Sequence, residues 1–480
     1  MNLEEIIRNK EKVYFIGIKG TGMCALAELL YRAGARVSGS DTADVFYTDA
    51  ILKDLRIPYF EAFDGAHIND EIPLVIHSAA YSAEGNPEMA EARRRGLPLV
   101  KYTDALGAYS ALFDSSGIAG VHGKTTTTAL TGTLLAAAEL PAQVLAGSAV
   151  TSFGGRSTIS IGNKYFVAET CEYRKHFLSF EPRRVLLTGV ESDHQDFFPD
   201  YESIRGAFVE YGGRIKSGGE LIYCADDAGA CETAGIIQKK RNDIKYTEYG
   251  FNARGPFKIK NYKTGDGESG FELDGVPHRW TLRVPGRHTV LNSAGALALV
   301  KSIADNEGRP FDAAALGKMD AALAAFSGSK RRSEIIGTAG DILFMDDYAH
   351  HPTAIKATLA GLKEFYPGRR LVVSFMSHTY SRTAALFEDF AGAFGVAGIV
   401  FLHKIYASAR EVYNGSVTGA ALYEKTKTLR ANVYYVDEPL DAVDALKSVL
   451  RPGDLFITMG AGDNWKLCVA LFKHYRAMES

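Results

Sequence analysis

A glycine-rich segment followed by a lysine and a run of threonines is the strongest chemical signal in the chain. The segment is GIAGVHGKTTTT, Gly117 to Thr128. A strand-like run leads into it and a helix-like run follows, so its N–H groups favour phosphate oxygens. Lys124 would add positive charge for the β- and γ-phosphates, and the Thr125 hydroxyl would ligate Mg²⁺. Ile118 stands where a strict P-loop has its first glycine, but the strand–loop–helix context predicts a nucleotide site.

A second glycine loop, GIKGTGM (Gly17 to Met23), follows the first strand of the chain. Its glycine order is G-x-x-G-x-G, which differs from the dinucleotide-binding order. Asp41 ends the next strand, where an acid binds ribose in dinucleotide folds. The loop therefore predicts a nucleotide or diphosphate at a helix N-terminus, and tight strand–helix packing is the structural alternative. Lys19 in the loop would either add charge for a diphosphate or be solvated.

A carboxylate and a histidine follow two further strand-like runs. Glu169 ends YFVAET, and Asp193 and His194 come just after VLLTGV. The carboxyl ends of parallel strands meet at one edge, which is also the edge of the phosphate loop. Glu169 and His194 could hold a divalent ion beside the phosphates, Mn²⁺ as well as Mg²⁺ because of the imidazole. The alternative is that both side chains hydrogen-bond loop backbone.

The last third of the chain carries three polar clusters, and two of them follow strand-like runs. They are KRR ending at Arg332, DDYAHHP from Asp346 to Pro352, and SHTYSRT from Ser377 to Thr383. Each alone is compatible with a solvated or structural role. Their convergence in one α/β segment favours a site that handles anionic substrates and positions an acceptor.

The order of elements predicts an α/β protein of three domains. Strands alternate with helices from about Lys12, from Gly117 and again from about Phe326, which implies parallel strands with helical crossovers. Residues 219–285 alternate polar and apolar side chains and predict antiparallel hairpins. We expect a Rossmann-like domain over residues 1–112, a central P-loop ATPase-like domain with hairpins over 113–326, and a Rossmann-like domain over 327–480.

Composition excludes several classes of protein. The 480 residues carry 54 basic and 57 acidic side chains, a net charge of −3, which argues against a nucleic-acid binder. Hydrophobic residues make up 46% of the chain, enough for packed cores. No apolar run approaches the roughly 18 residues of a membrane helix. The five cysteines form neither a zinc pattern nor a disulfide framework, which favours the reducing cytoplasm.

Taken together, these motifs resemble those of the Mur ligases, the ATP-dependent amide ligases of peptidoglycan precursor synthesis. The resemblance covers nearly the whole chain in the family's order: GIKGTGM, SAAYSAEGNPE, GVHGKTTTT, AETCEYRKHF, ESDHQDFF, VPGRHTVLN, KRR, DDYAHHPT and SHTYSRT. DDYAHHP with SRT is typical of the alanine-adding branch and its close relatives.

The resemblance implies a set of binding residues in each domain. UDP-N-acetylmuramate would contact the first domain through Gly20, Thr21, Gly22, Met23, Asp41, Ser78 and Asn86. ATP would contact Gly120, His122, Gly123, Lys124, Thr125, Thr126, His288 and Asn292, with Arg332 and Asp347 reaching it from the third domain. The metal would be held by Thr125, Glu169 and His194. The incoming L-alanine would lie among Tyr348, His350, His378 and Arg382.

The implied reaction transfers the ATP γ-phosphoryl group to the lactyl carboxylate, and the amine of alanine then displaces phosphate. Lys124, Arg332, Arg382 and the metal would stabilise the developing charge. Either His194 or His350 would take the ammonium proton, and the sequence does not choose between them. The resemblance is compatible with a cytoplasmic monomer or homodimer.

Other functions remain open at this point. The nearest is a sister ligase that attaches a recycled murein peptide to the same sugar nucleotide, because Met376 and Ser377 depart from the usual residues before His378. The D-glutamate-adding and folate-adding ligases lack the paired DDYAHHP and SHTYSRT motifs. A nicotinamide dehydrogenase and a non-catalytic nucleotide-binding regulator are the alternatives from other classes.

Overall fold

Three sheets follow one another along the chain. The computed structural model describes residues 3–194, 197–265, 267–407, 411, 413, 415 and 417–479. The sheets have five, ten and six strands, and each lies within one of the three predicted segments. The limits of the domains stay a prediction. In the described part of the chain, no helix is both long and apolar enough to cross a bilayer.

The first sheet is entirely parallel, in the order β3-β2-β1-β4-β5. Its strands are β1 (Lys12–Ile16), β2 (Arg36–Ser40), β3 (Tyr59–Phe60), β4 (Leu74–His77) and β5 (Leu99–Lys101). Its helices are α1 (Leu3–Arg8), α2 (Thr21–Ala33), α3 (Thr48–Asp54), α4 (Pro87–Arg94) and α5 (Tyr102–Ser110). Strands buried on both faces, such as β4, are continuous apolar runs, as helices on each side of a parallel sheet require. This is the Rossmann-like arrangement.

The central sheet has the order β15-β14-β13-β12-β11-β10-β6-β9-β7-β8. Its first half contains β6 (Asp114–Ala119), α6 (Lys124–Ala137), β7 (Ala142–Val150), β8 (Arg156–Ser160), β9 (Tyr165–Glu169), β10 (Arg184–Leu187) and α7 (Tyr201–Gly213). Its second half contains β11 (Glu220–Cys224), α8 (Ala228–Gln238), β12 (Lys245–Gly250), β13 (Phe257–Gly265), β14 (Glu268–Leu273), β15 (Val276–Leu282), α9 (Arg287–Asn306) and α10 (Ala313–Ala324). β6 lies between β9 and β10 and is parallel to both, so the carboxyl ends of these three strands meet.

The hairpin prediction is right for one part of residues 219–285 and wrong for the other. β13, β14 and β15 are antiparallel neighbours. β11 and β12 are instead parallel to each other and to β10, because α7 and α8 return the chain to the same end of the sheet before each of them. The residues of β12 alternate in burial from an exposed first residue to a buried end. Alternation therefore occurs here in a parallel strand, without a hairpin.

The third sheet has the order β16-β17-β21-β18-β19-β20, and only the edge strand β16 is antiparallel to its neighbour. Its strands are β16 (Glu334–Ala339), β17 (Ile342–Asp347), β18 (Arg370–Met376), β19 (Ile399–Leu402), β20 (Val433–Tyr435) and β21 (Asp454–Gly460). Its helices are α11 (Pro352–Phe365), α12 (Tyr380–Ala385), α13 (Phe387–Ala391), α14 (Gly419–Leu429), α15 (Val443–Val449) and α16 (Trp465–Ala477).

The first and central sheets share one hydrophobic core. A single cluster of buried side chains runs from Val13 and Leu26 in the first domain to Phe166 and Tyr211 in the central one. Beside it, the buried Glu28 of α2 accepts hydrogen bonds across the same boundary. Its donors are Arg156 Nη1 at 2.9 Å and Thr158 Oγ1 at 2.6 Å, both on β8. Apolar and polar contacts together therefore hold the start of α2 at a constant position beside the central sheet.

Replacing Glu28 with alanine tests this boundary. The change leaves Thr158 and the guanidinium of Arg156 without their buried acceptor, so we expect the free energy of unfolding to fall by about 1–3 kcal/mol. Glu4→Ala, at an exposed position of α1, is the control and is expected to stay within about 0.5 kcal/mol. Urea denaturation of both variants measures the difference, and equal values would contradict a stabilising role for Glu28.

Candidate active site

The loop between β6 and α6 fits closely against the end of β10. Gly120 has φ +137°, in the region that favours glycine, and a Cβ there would overlap the Thr188 hydroxyl. Val121 N donates to Gly189 O at 3.0 Å, and the Thr188 hydroxyl donates to His122 O. The loop is thus held at the meeting point of β6 and β10, with its N–H groups at the start of α6, as an anion site requires.

A cavity of about 280 Å³ opens above this loop, between the central and third domains. It brings together most of the residues that the sequence assigns to a nucleotide: His122, Gly123, Thr125, Thr126, His288, Asn292, Arg332 and Asp347. Gly120 and Lys124, which the sequence also assigned there, are not in its lining. Residues from a phosphate loop, a helix start and a second domain therefore face one cavity.

The third domain presents one arginine and one carboxylate to this cavity. Asp347 is buried and accepts from Ser333 N at 2.6 Å and from Ala349 N at 2.7 Å, which fixes its carboxylate at the cavity wall. Arg332 also lines the cavity, with its guanidinium carbon 5.3 Å from the centre of the Tyr348 ring. Arg331 points elsewhere, donating to Asp346 at 2.9 Å. Of the two arginines in KRR, Arg332 therefore faces the cavity, and Arg331 bonds to Asp346 on β17.

His288, at the start of α9, is a neutral ring with spare hydrogen-bonding capacity. Burial lowers its pKa below the ordinary value for histidine, although Asp347 raises it in part. Its Nδ1 is buried and has no hydrogen-bond partner among the described residues. Buried polar atoms are rarely left in that state. A ligand in the cavity can therefore complete the bonding of His288.

The predicted metal ligands are only partly assembled. Thr125 Oγ1 donates to Glu169 Oε1 at 3.0 Å, and Glu169 Oε2 accepts from Gly147 N at 2.7 Å. Hydroxyl and carboxylate oxygens so placed fit Mg²⁺, which prefers oxygen ligands. The predicted third ligand, His194, has φ +55° and lies 3.2 Å from Glu172 Oε1 through its Nε2. The structure brings Thr125 and Glu169 together and pairs His194 with a different carboxylate.

Glu172 is a site residue that the sequence analysis missed. It is buried, and its Oε2 lies 2.9 Å from Lys124 Nζ. Burial would raise its pKa, but the charge of Lys124, followed by the hydrogen bond with His194, brings that pKa below the usual glutamate value. Lys124 Nζ also donates to the loop carbonyls of Gly120 and Val121. Its position in AETCEY, three residues beyond Glu169, is the only sequence signal for Glu172.

A line of polar contacts continues from His194 into the third domain. The buried Asp193 accepts from Arg382 Nη2 at 2.7 Å and from Arg382 Nε at 2.9 Å. Burial would raise the pKa of Asp193, but Arg382 holds it well below the usual aspartate range. Arg382 Nη1 lies 3.0 Å from His378 Nδ1. The Asp193–Arg382 pair therefore joins the central and third domains within the predicted amino-acid site.

His350 completes this group. Its ring centre lies 5.4 Å from that of His378 and 4.8 Å from that of Tyr348, so the four residues predicted around the amino acid are together. Its Nδ1 lies 2.7 Å from the Tyr348 carbonyl oxygen, so Nδ1 carries the hydrogen and Nε2 the lone pair. Burial, then the charge of Arg382, lowers the pKa of His350 well below the ordinary value. Its ring is neutral at neutral pH.

The first glycine loop lies beside the central site. Gly20 precedes α2, with Thr21 and Gly22 in its first turn, and a Cβ at Gly22 would come 2.6 Å from the Tyr102 hydroxyl. Burial, then the charge of Glu169, raises the pKa of Tyr102, which reflects how close Glu169 is to it. Tyr102 is a second residue that the sequence analysis missed, and it links this loop to Glu169.

Several other predicted residues of the first domain have structural roles in the protein itself. The Met23 side chain is part of the core. Asp41 accepts from Lys19 N at 2.7 Å and Tyr81 OH at 3.2 Å, and Ser78 Oγ accepts from Ala80 N at 3.2 Å. The buried Asn86 caps α4 by accepting from Glu88 N and Met89 N. Any contact of Met23 with a diphosphate is therefore limited to its backbone.

Lys19 matches neither of its two expected roles. Its side chain is fully buried, and its ammonium group donates to Thr42 O at 2.9 Å and lies 3.3 Å from Asp49. It is therefore neither solvated nor directed at a diphosphate, because the carboxylates and carbonyls that follow β2 already surround its charge.

Comparison with known proteins agrees with this arrangement. Three family models match the chain: the Mur ligase family catalytic domain over residues 12–114, the Mur ligase middle domain over 118–300, and the Mur ligase glutamate ligase domain over 331–462. The chain belongs to the Mur ligase family. Members of this family use ATP, which agrees with a cavity built on a phosphate loop.

The relatives in this family match the chain along nearly its whole length. A UDP-N-acetylmuramate–L-alanine ligase of Treponema pallidum is 50% identical over 465 residues, 97% of each chain. The enzyme of the same name from Borreliella afzelii is 39% identical, over 95% of this chain and 97% of its own. The crystal structure of UDP-N-acetylmuramate-alanine ligase MurC from Thermotoga maritima has a TM-score of 0.75 and 25% identity, covering 97% of this chain and 99% of that one.

Glu172→Gln tests the pairing of Lys124 in this Mur ligase. Without the shared carboxylate, Lys124 and His194 lose their buried anionic partner, so we expect a lower midpoint of thermal unfolding in the absence of nucleotide. ATP supplies new negative charge beside Lys124, so it should raise the midpoint by more in the variant than in the original chain. Glu181→Gln, an exposed carboxylate, is the control. Equal ATP-induced shifts in all three proteins would contradict the pairing.

Asp193→Asn tests the joint between the central and third domains. The change leaves the buried Arg382 guanidinium without its counter-charge, which favours arrangements in which water reaches it. We expect a larger radius of gyration by small-angle X-ray scattering. Asp389→Asn, an exposed aspartate on α13, makes the same change in charge and should leave the radius unaltered. Identical scattering from both variants would show that the pair does not hold the domains together.

Proposed function

We propose that this Mur ligase joins L-alanine to the lactyl carboxylate of UDP-N-acetylmuramate, with cleavage of ATP to ADP and phosphate, in peptidoglycan precursor synthesis. The observation that carries the proposal is its 50% identity over 97% of both chains to an enzyme of that name. The geometry adds support, because the nucleotide cavity and the Tyr348–His350–His378–Arg382 group are joined through Asp193, His194 and Glu172.

The nucleotide is proposed to occupy the cavity between the central and third domains. Its adenine would complete the bonding of His288 and Asn292, and its ribose and phosphates would meet Asp347 and Arg332. Lys124 would exchange part of its bonding to Glu172 and Gly120 for the β- and γ-phosphate oxygens. Thr125 and Glu169 would hold Mg²⁺, which neutralises phosphate charge when bound.

The first half of the reaction is proposed to form an acyl phosphate. A carboxylate oxygen of the lactyl group attacks the γ-phosphorus, and the bond to the ADP oxygen breaks. Lys124 would stabilise the transferring phosphoryl group by its charge. The UDP part would lie against the start of α2 at Gly20, Thr21 and Gly22, which the shared core holds beside the carboxyl end of β9.

The second half is proposed to take place among the histidines of the third domain. The alanine amine attacks the acyl carbon, the C–N bond forms, and the C–O bond to phosphate breaks. Arg382 would hold the alanine carboxylate, since its guanidinium lies beside His378 and is oriented by Asp193. His350 is the better candidate for accepting the ammonium proton, because its Nε2 carries a lone pair while His194 Nε2 is occupied by Glu172.

The reaction uses cytoplasmic ATP and a nucleotide-linked sugar, which supports a cytoplasmic location. We also propose that the enzyme acts as a monomer or a homodimer. All of the residues named above come from one chain.

The decisive experiment measures phosphate release and amide formation with ATP, Mg²⁺ and UDP-N-acetylmuramate. We expect both products with L-alanine, weaker turnover with glycine or L-serine, and none with the tripeptide of recycled murein. Lys124→Ala should lower turnover by about 100-fold or more, because a charge that acts on the transferring group is lost. Turnover with the tripeptide alone would assign the chain to the recycling ligases, and full turnover of Lys124→Ala would contradict the proposed role of the loop.

A further inference from the structure

A second set of metal-ligating side chains lies where the central and third domains meet. His122 comes from the loop before α6, Glu191 follows β10, and His351 precedes α11. One ligand atom from each lies within 4.8 Å of the others. His122 Nε2 is 3.1 Å from Glu191 Oε2, and His351 Nδ1 is 3.8 Å from Glu191 Oε1. None of the predicted metal ligands Thr125, Glu169 and His194 belongs to this set.

His351 supplies an independent observation that points to a ligand at this position. Its side chain is 4% exposed, and its Nε2 has no hydrogen-bond partner among the described residues. Its Nδ1 lies 3.4 Å from Thr353 N, a long contact that leaves either ring nitrogen able to carry the hydrogen. Burial, then the nearby charge of His122, lowers the pKa of His351, so its ring is neutral. A neutral imidazole with an unsatisfied nitrogen is the form that binds a metal ion.

We propose that His122, Glu191 and His351 form a binding site for a borderline divalent transition-metal ion of the Zn²⁺ type. Two imidazoles and one carboxylate are a donor set that Zn²⁺, Co²⁺ and Ni²⁺ accept readily, whereas Mg²⁺ and Ca²⁺ prefer oxygen ligands throughout. Water would complete the coordination.

The surroundings of the three residues suit a cation. A cavity of about 580 Å³, lined by Glu191, Asp227, His351 and Thr353, adjoins the cluster and provides an entry path. Asp227 adds a second carboxylate to the walls of this cavity. Thr353 Oγ1 donates to Glu191 Oε1 at 2.6 Å, which orients the carboxylate from outside, as partners of metal ligands do.

The consequence of binding follows from where the ligands originate. His122 and Glu191 belong to the central domain and His351 to the third, so one cation would tie the two domains together across the nucleotide cavity. The site would therefore oppose the separation of these domains. This inference does not depend on the identity of the ligated substrates, because metal binding is measured without them.

Titration of the chelator-treated, nucleotide-free full chain with Co²⁺ tests the proposal. We expect visible d–d absorption of one Co²⁺ in a nitrogen and oxygen environment, displaced by Zn²⁺. Glu191→Gln and His351→Asn should each weaken the binding by about tenfold or more. Asparagine is chosen at position 351 because it retains a side chain able to cap α11 while it removes the imidazole.

Two control variants separate this site from other ligands in the chain. Glu169→Gln alters the predicted magnesium site, and His474→Asn removes a histidine on α16, and both should keep the absorption. Zn²⁺ should also raise the midpoint of thermal unfolding of the original chain but not of His351→Asn. The proposal is overturned if Co²⁺ gives no such absorption, if Glu191→Gln and His351→Asn bind as the original chain does, or if Glu169→Gln loses the signal.

Discussion

The carboxylate of Glu172 is the buried counter-charge of the Lys124 ammonium group, and it also contacts the His194 ring. Lys124 belongs to the phosphate loop and His194 to the segment that follows β10, and both contact the same side chain. A phosphate loop gathers positive charge at one edge of a sheet, and without a ligand that charge needs an internal counter-ion. Glu172 meets this need, and it holds the lysine beside the carbonyl groups of its own loop.

The need to pair buried charges also accounts for the contact between Asp193 and Arg382. Asp193 stands next to His194 in sequence and pairs with Arg382, so the two buried carboxylates Glu172 and Asp193 each lie beside a basic side chain. These contacts run from the carboxyl end of β6 in the central sheet to α12 in the third domain. Polar side chains of the two domains are therefore connected by a continuous series of contacts.

Much of the fold followed from the sequence, because buried parallel strands are continuous apolar runs and glycine loops mark their ends. The phosphate loop and the carboxyl-end position of Glu169 were reached in this way, whereas the grouping of Tyr348, His350, His378 and Arg382 was implied by the family resemblance. The parallel direction of β11 and β12 was missed, since alternation along a strand indicates which face is exposed and carries no information about direction. The same alternation gave the right result for β13 to β15, because short turns connect these three strands.

The errors at the site have a common physical origin. Sequence locates a backbone position, but the direction of a long side chain depends on charges that only the fold brings near. Lys19 was expected either at a diphosphate or in solvent, and it is directed into its own domain by Asp49 and by the carbonyls of Thr42 and Asp44. His194 was expected beside Glu169 and is paired with Glu172. Glu172 itself was missed because its importance comes from Lys124, 48 positions earlier in the chain.

The two boundaries between domains differ in the kind of surface they bury. The first and central domains share one apolar cluster, whereas no apolar cluster of the described residues spans the central and third domains. Among the described residues, the contacts at the second boundary include the Asp193–Arg382 ion pair and the hydrogen bond from Thr353 to Glu191. Exposure of apolar surface is what makes the heat capacity rise. Separation of the third domain from the other two would therefore involve only a small change in heat capacity, so the enthalpy of that separation would stay nearly constant with temperature.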